Sequence, residues 1–147
     1  MLQKTLLFIV LIAVGSPMWA ADADAIGQVK KITGNVRVFR GVLERPLELG
    51  EWVKQSDTIL TGIDGSVGLT FIDNSRFSTG PNTTLVLQRF RFNPTTHDGE
   101  FLTRLRKGTL AVSSGQIARR SSKQMRVFTP ASVLGVRGTR FLVKVAE

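Results

Sequence analysis

The chain has 147 residues, with 20 Lys and Arg against 11 Asp and Glu, a formal net charge of +9, one His and no Cys. Without cysteine there is no disulfide, thiol nucleophile, thiolate zinc site or lipidated cysteine, and a lone histidine excludes a His cluster. What remains is one small basic domain, long enough for a single packed core.

In chain order, residues 1–4 open with a positive charge and 6–14 form the apolar run Leu-Leu-Phe-Ile-Val-Leu-Ile-Ala-Val. Gly15, Ser16 and Pro17 break it, and Ala20, Ala21, Ala23 and Ala25 offer small-residue cleavage sites. That order is a secretory signal, and the apolar run is roughly half of what spans a bilayer. Residues 1–23 are therefore read as a leader, cleaved within 20–25. No later stretch is apolar enough to cross a membrane. The expectation is an exported chain, periplasmic or secreted, with no stable transmembrane anchor.

From Ile26 onward apolar residues recur at every second position, as in Val36/Val38, Val67/Leu69/Phe71 and Phe141/Val143/Val145. A period of two puts one set of side chains on each face of a strand. Strands are expected over 28–32, 35–40, 58–61, 66–72, 76–78, 84–92, 101–106, 109–113, 124–128 and 139–145. Glycine-bearing turns separate strand pairs at Gly34, Gly65 and Gly108, and Asp73-Asn74-Ser75 reads as a hairpin turn. Segments 41–52, 93–99 and 115–123 read as connections, the last as an exposed basic turn. The fold class is all-β: a compact sandwich, a roll or a short solenoid-like domain, among which periodicity does not choose.

Candidate chemistry is sparse. Asp57 precedes the strand Thr58-Ile59 and is suited to accepting backbone N–H groups in a turn. Asp64 and Asp73 lack the further oxygen ligands a cation needs. His97 lies in a polar loop with no nucleophile elbow in the chain. Gly135-Val-Arg-Gly-Thr-Arg140 lacks the spacing and the Lys-Ser/Thr pair of a phosphate loop, so its glycines are assigned to tight turning or close approach; Arg137 and Arg140 are assigned first to pairing with acids and, as the alternative, to display of charge. Trp52, Phe71, Phe77, Phe90, Phe101, Phe128 and Phe141 are assigned to the core. In Arg89-Phe90-Arg91-Phe92 the arginines share one strand face and the aromatics the other, which argues against a nucleic-acid stacking surface. No cofactor, metal or catalytic residue is expected.

The charge is uneven. Residues 21–88 carry 7 basic and 8 acidic side chains, and residues 89–147 carry 12 and 3. The candidate basic interaction patch draws on Arg89 and Arg91, on Arg104 and Arg106, and on Arg119, Arg120 and Lys123 in the expected turn.

Four stretches together resemble the FecR domain family: Gly27-Gln-Val-Lys-Lys-Ile-Thr-Gly-Asn-Val-Arg-Val-Phe-Arg40, Leu47 through Thr61, Gly65 through Thr84, and Thr129-Pro-Ala-Ser-Val-Leu-Gly-Val-Arg-Gly-Thr-Arg-Phe141. The likeness spans 26–145. It implies an extracytoplasmic all-β domain, in its founding setting the periplasmic part of a regulator that relays a transporter signal to a cytoplasmic sigma factor. It also marks Asp57, Gly135, Arg137, Gly138, Thr139 and Phe141 as a structural motif. Where the family's usual pair is Gly-Asp, this chain has Ser56-Asp57. The expectation here is a stand-alone exported member without the membrane-spanning regulator architecture, which carries over fold and compartment better than iron signalling. The leading functional expectation is a non-enzymatic interaction or sensing module that binds an envelope protein or an anionic glycan. A structural accessory domain is the alternative and a periplasmic enzyme the least favoured. Oligomeric state is left open.

Overall fold

The computed structural model describes residues 23–136 and 140–146, so most of the expected leader, and Arg137, Gly138 and Thr139, lie outside the described residues. The strands are β1 (Ala25–Thr33), β2 (Val36–Arg40), β3 (Leu43–Pro46), β4 (Trp52–Lys54), β5 (Thr58–Thr61), β6 (Ser66–Phe71), β7 (Arg76–Thr79), β8 (Thr84–Phe92) and β9 (Gly99–Ser113). A five-residue helix, α1 (Gln116–Arg120), precedes β10 (Met125–Phe128), β11 (Val133–Gly135) and β12 (Arg140–Val145).

One hydrogen-bonded sheet runs β3-β2-β5-β8-β9-β7-β6-β1-β4 and curls over into a half-barrel. β9 belongs to both layers. Its first part pairs with β8 and, in parallel, with β10; its last part pairs with β7 and β12. The strands β2, β3, β5, β8, β10 and β11 thus form a β8 layer, and β1, β4, β6, β7 and β12 a β6 layer. Gly108 marks the changeover with φ of +92°, and a Cβ there would run into Thr83. Thr83 Oγ1 accepts Thr109 N–H at 3.1 Å, so the close approach is part of what turns β9 from one layer to the other.

The alternating residues of both layers meet inside. Phe71 and Phe77 from the β6 layer pack on Phe90 and Phe101 from the β8 layer, with ring centroids 4.7 Å apart for Phe71–Phe101 and 5.1 Å for Phe77–Phe101. Val29, Val38, Leu69, Leu85, Leu105 and Val127 surround them, all buried. Edge-to-face and offset pairs add to the burial energy of these rings, which is how a chain without disulfides closes its core.

Several expectations are corrected. Segment 41–52 contains β3 and the start of β4; the sequence Leu-Glu-Arg-Pro lacks apolar alternation because β3 is an edge strand held by pairing to β2 and not by burial. The two strands expected on either side of Gly108 are one fifteen-residue strand. Segment 115–123 is not merely an exposed turn: α1 buries Ile117 and Ala118. Asp73 explains why a helix forms there. Its backbone oxygen accepts Gln116 N–H at 2.8 Å, and Ser75 Oγ accepts Gly115 N–H at 3.1 Å, so the β6–β7 hairpin supplies the first turn with partners from far away in sequence. Trp52 is 40% exposed because β4 sends Val53 inward, and Phe128 is half-buried on the outer face because β10 sends Met125 and Val127 inward.

Candidate functional site

The outer face of the β8 layer is assembled by register. Arg89 faces Leu102, which faces Arg126; Val86 faces Arg104, which faces Phe128. Opposed residues in a ladder point to the same side, so three strands set Arg89, Arg104 and Arg126 among Val86, Leu102 and Phe128 on one surface. Arg106 follows Arg104 on the outward side of β9 and is exposed.

Phe128 organises the centre of that face. The Arg104 and Arg126 guanidinium carbons lie 5.5 and 5.8 Å from its ring centroid, within cation–π range. Arg126 Nε is buried and has no hydrogen-bond partner. Among the described residues no carboxylate pairs with Arg104, Arg106 or Arg126, whereas Arg89 Nη1 pairs with Glu100 at 3.1 Å and stays 63% exposed.

β8 is held in this register from behind by the turn between β4 and β5. Asp57 is fully buried, and its carboxylate accepts Lys54 N–H at 2.8 Å, as its place in the sequence suggests. It also accepts a two-pronged contact from Arg40, Nε to Oδ1 at 2.9 Å and Nη2 to Oδ2 at 2.7 Å, a partner no local pattern could name. From this fixed point Ser56 N–H donates to Leu87 O at 2.7 Å and Leu87 N–H to Asp57 O at 2.9 Å. Gln55 Oε1 accepts Phe90 N–H at 3.0 Å. The clamp brackets a bulge between Leu87 and Arg89, which sets where Arg89 points. Ser56 has φ of +72°, in the left-handed region, and that accounts for glycine being usual at this place.

The remaining expected residues are distributed as follows. Arg91 is exposed and faces Glu100, beside Arg89, while Phe90 turns into the core. Arg119, Arg120 and Lys123 do not lie on the sheet: they are exposed on α1 and the turn after it, by the 93–98 loop, where Arg120 Nε is 3.9 Å from Asp98. Gly135 sits in β11 without a positive φ, and a Cβ there would meet only Ser122 O at 3.4 Å, so neither tight turning nor crowding requires glycine. Phe141 in β12 packs against the core. Arg140 is exposed and has no acidic partner among the described residues, so it displays its charge, the alternative to the pairing first expected of it. Arg126 and Phe128 were not singled out from the sequence as surface residues. The signal was present in the alternation Met125/Val127 against Arg126/Phe128, but assigning every aromatic to the core obscured it.

His97 stacks on Phe92 with centroids 6.2 Å apart and touches Gln116 at 3.5 Å. Among the described residues no group of three His, Asp or Glu side chains could hold a metal, and no helix is long and apolar enough to cross a membrane.

The FecR protein family matches residues 57–147, beginning at the buried aspartate of the clamp, and the chain belongs to that family, a regulatory or sensing one. No curated protein and no solved structure matches it.

Proposed function

We propose that this member of the FecR family is a non-enzymatic extracytoplasmic sensing or interaction module that engages an acidic envelope protein through the outer face of the β8 layer. The observation that carries the reading is Phe128 flanked by Arg104 and Arg126, with Arg89 and Arg106 on the same face. Arginine and aromatic side chains dominate the energetics of protein interfaces, and apolar Val86 and Leu102 between them supply area that a purely solvated charged face would not have. FecR domains are typically periplasmic, which agrees with the leader expected over residues 1–23. An anionic glycan is the second reading. Arg89 and Arg126 lie two strand spacings apart, about 10 Å, and a repeating polyanion presents charge at regular intervals.

The test is retention on immobilised envelope extract at about 50 and 300 mM salt, since exposed charge is screened over about 10 Å at moderate ionic strength. The unmodified protein should lose most of its binding at the higher salt, and an Arg89/Arg104/Arg106/Arg126→Gln variant should already have lost it at the lower. Equal binding by both proteins at both salts sinks the proposal. Protease treatment of the extract should abolish retention; survival after protease with loss after polysaccharide digestion selects the glycan.

A further inference from the structure

The opposite outer face, on the β6 layer, carries a groove of about 580 Å³. Its floor follows from register. Gly68 faces Ser78, Ser78 faces Ala111 and Ala111 faces Leu142, so four strands line up three of the smallest side chains in one cross-strand row that ends on a leucine 68% exposed. The next row, two residues along each strand, is Thr70, Arg76, Ser113 and Arg140. Arg76 and Arg140 stand on either side of Ser113, about 10 Å apart at Cα by strand spacing, so both guanidinium groups can reach one anion above the serine hydroxyl. Lys30, the extra residue of a bulge in β1, closes the far end. Among the described residues no acidic side chain lines the groove, and neither Arg76 nor Arg140 has an acidic partner.

We propose that this groove holds one single-chain fatty-acid carboxylate, its carboxylate between Arg76 and Arg140 and its acyl chain passing Ala111, flanked by Leu142, and running over Ser78 to Gly68. The occupant follows from what the surface can and cannot satisfy. A second copy of the chain, docked face to face, would set three cations against three. An extended peptide would bring an N–H and a C=O with every residue over a floor that offers few polar partners, whereas an acyl chain brings none. From Ser113 the path is about 7 Å along β9 to Ala111 and then about 10 Å across two strand spacings to Gly68, room for a dodecyl chain. The proposal is independent of the arginine face on the β8 layer and neither needs nor implies a partner there.

The experiment is calorimetric titration with dodecanoate below its micelle concentration, with dodecyl maltoside as the uncharged comparator. The unmodified protein should bind one dodecanoate per chain. Ala111→Trp, which fills the row from its outer side, should weaken binding about tenfold or more. Arg76→Gln with Arg140→Gln should bring dodecanoate down to the affinity of the maltoside. The Arg89/Arg104/Arg106/Arg126→Gln variant should bind dodecanoate unchanged. If Ala111→Trp loses its β-rich circular dichroism, Leu142→Asp on the exposed strand reports the same loss. Absence of saturable binding, equal affinity for the two amphiphiles, indifference to the groove variants, or binding confined to anionic vesicles or acidic peptides would each overturn the assignment.

Discussion

Arginine is used differently in the first and second halves of this chain. Before Arg89, three of the four arginines, Arg37, Arg40 and Arg45, are tied to Glu44, Asp57 and Glu51, and Arg76 is the exception. After Arg89, Arg104, Arg106, Arg126 and Arg140 stand without a carboxylate among the described residues, and what orders them is strand register and one phenylalanine ring. The balance of 7 basic to 8 acidic side chains over 21–88, against 12 to 3 over 89–147, is thus also a division of labour. The acid-paired arginines of the first half hold neighbouring strands and turns, and the unpaired ones, Arg76 with those of the second half, face outward. Variants of the acid-paired Arg40 and Arg45 should therefore move stability and leave salt-sensitive binding to the β8 face alone.

The largest effect is expected at Arg40. Arg40→Ala leaves the fully buried Asp57 carboxylate on the Lys54 amide, and because Arg40 itself is a third exposed the loss falls somewhat below that of a fully buried pair, about 2–4 kcal/mol. Urea unfolding should show that loss. A loss below about 1 kcal/mol would mean the pair adds no more than an exposed one, and the comparison would fail at its strongest point.

A gain is expected next door. Ser56→Gly relieves a left-handed φ of +72° beside the same aspartate, which should raise stability by about 1 kcal/mol. Thermal unfolding that is unchanged or lowered would show that the serine side chain, and not its backbone, matters there.

The smallest effect is at the Arg45–Glu51 pair. Burial alone would raise the Glu51 carboxyl, but the Arg45 hydrogen bond, the Glu48 amide and the Arg45 and Arg40 charges outweigh it and hold the group below the ordinary glutamate range. A carboxyl lowered in the folded state stabilises above its unfolded value, and that contribution drains as pH falls through the lowered folded value. Glu51→Gln should therefore cost up to about 1 kcal/mol near neutral pH and nothing in strong acid. A stability difference that grows on acidification would reverse the sign and remove the assignment.

Much of this was legible from alternation alone. The strands β5, β6 and β8 lie where a period of two puts them, because residues buried on one face must be apolar there. The all-β class, the inward Phe71, Phe77, Phe90 and Phe101, the outward Arg89 and Arg91 and the turn-bound Asp57 follow from the same rule and from local hydrogen-bonding habit. Short edge strands escape it, since β3 and β11 are held by neighbours and bury little.

What the sequence by itself determined, then, is the set of faces: which side chains of each strand go in, which go out, and on which stretch of chain the excess charge falls. Tertiary structure alone decided which outward faces become neighbours. Nothing within ten residues of Asp57 announces Arg40, seventeen positions earlier. Nothing near Asp73 announces that its carbonyl seats α1, more than forty positions later. The meeting of Arg104 with Phe128, and of Arg76 with Arg140 across Ser113, depends on β9 passing from one layer to the other at Gly108. Alternation is local, encoded in each strand's own burial, whereas cross-strand neighbours depend on the pairing and register of segments far apart in the chain.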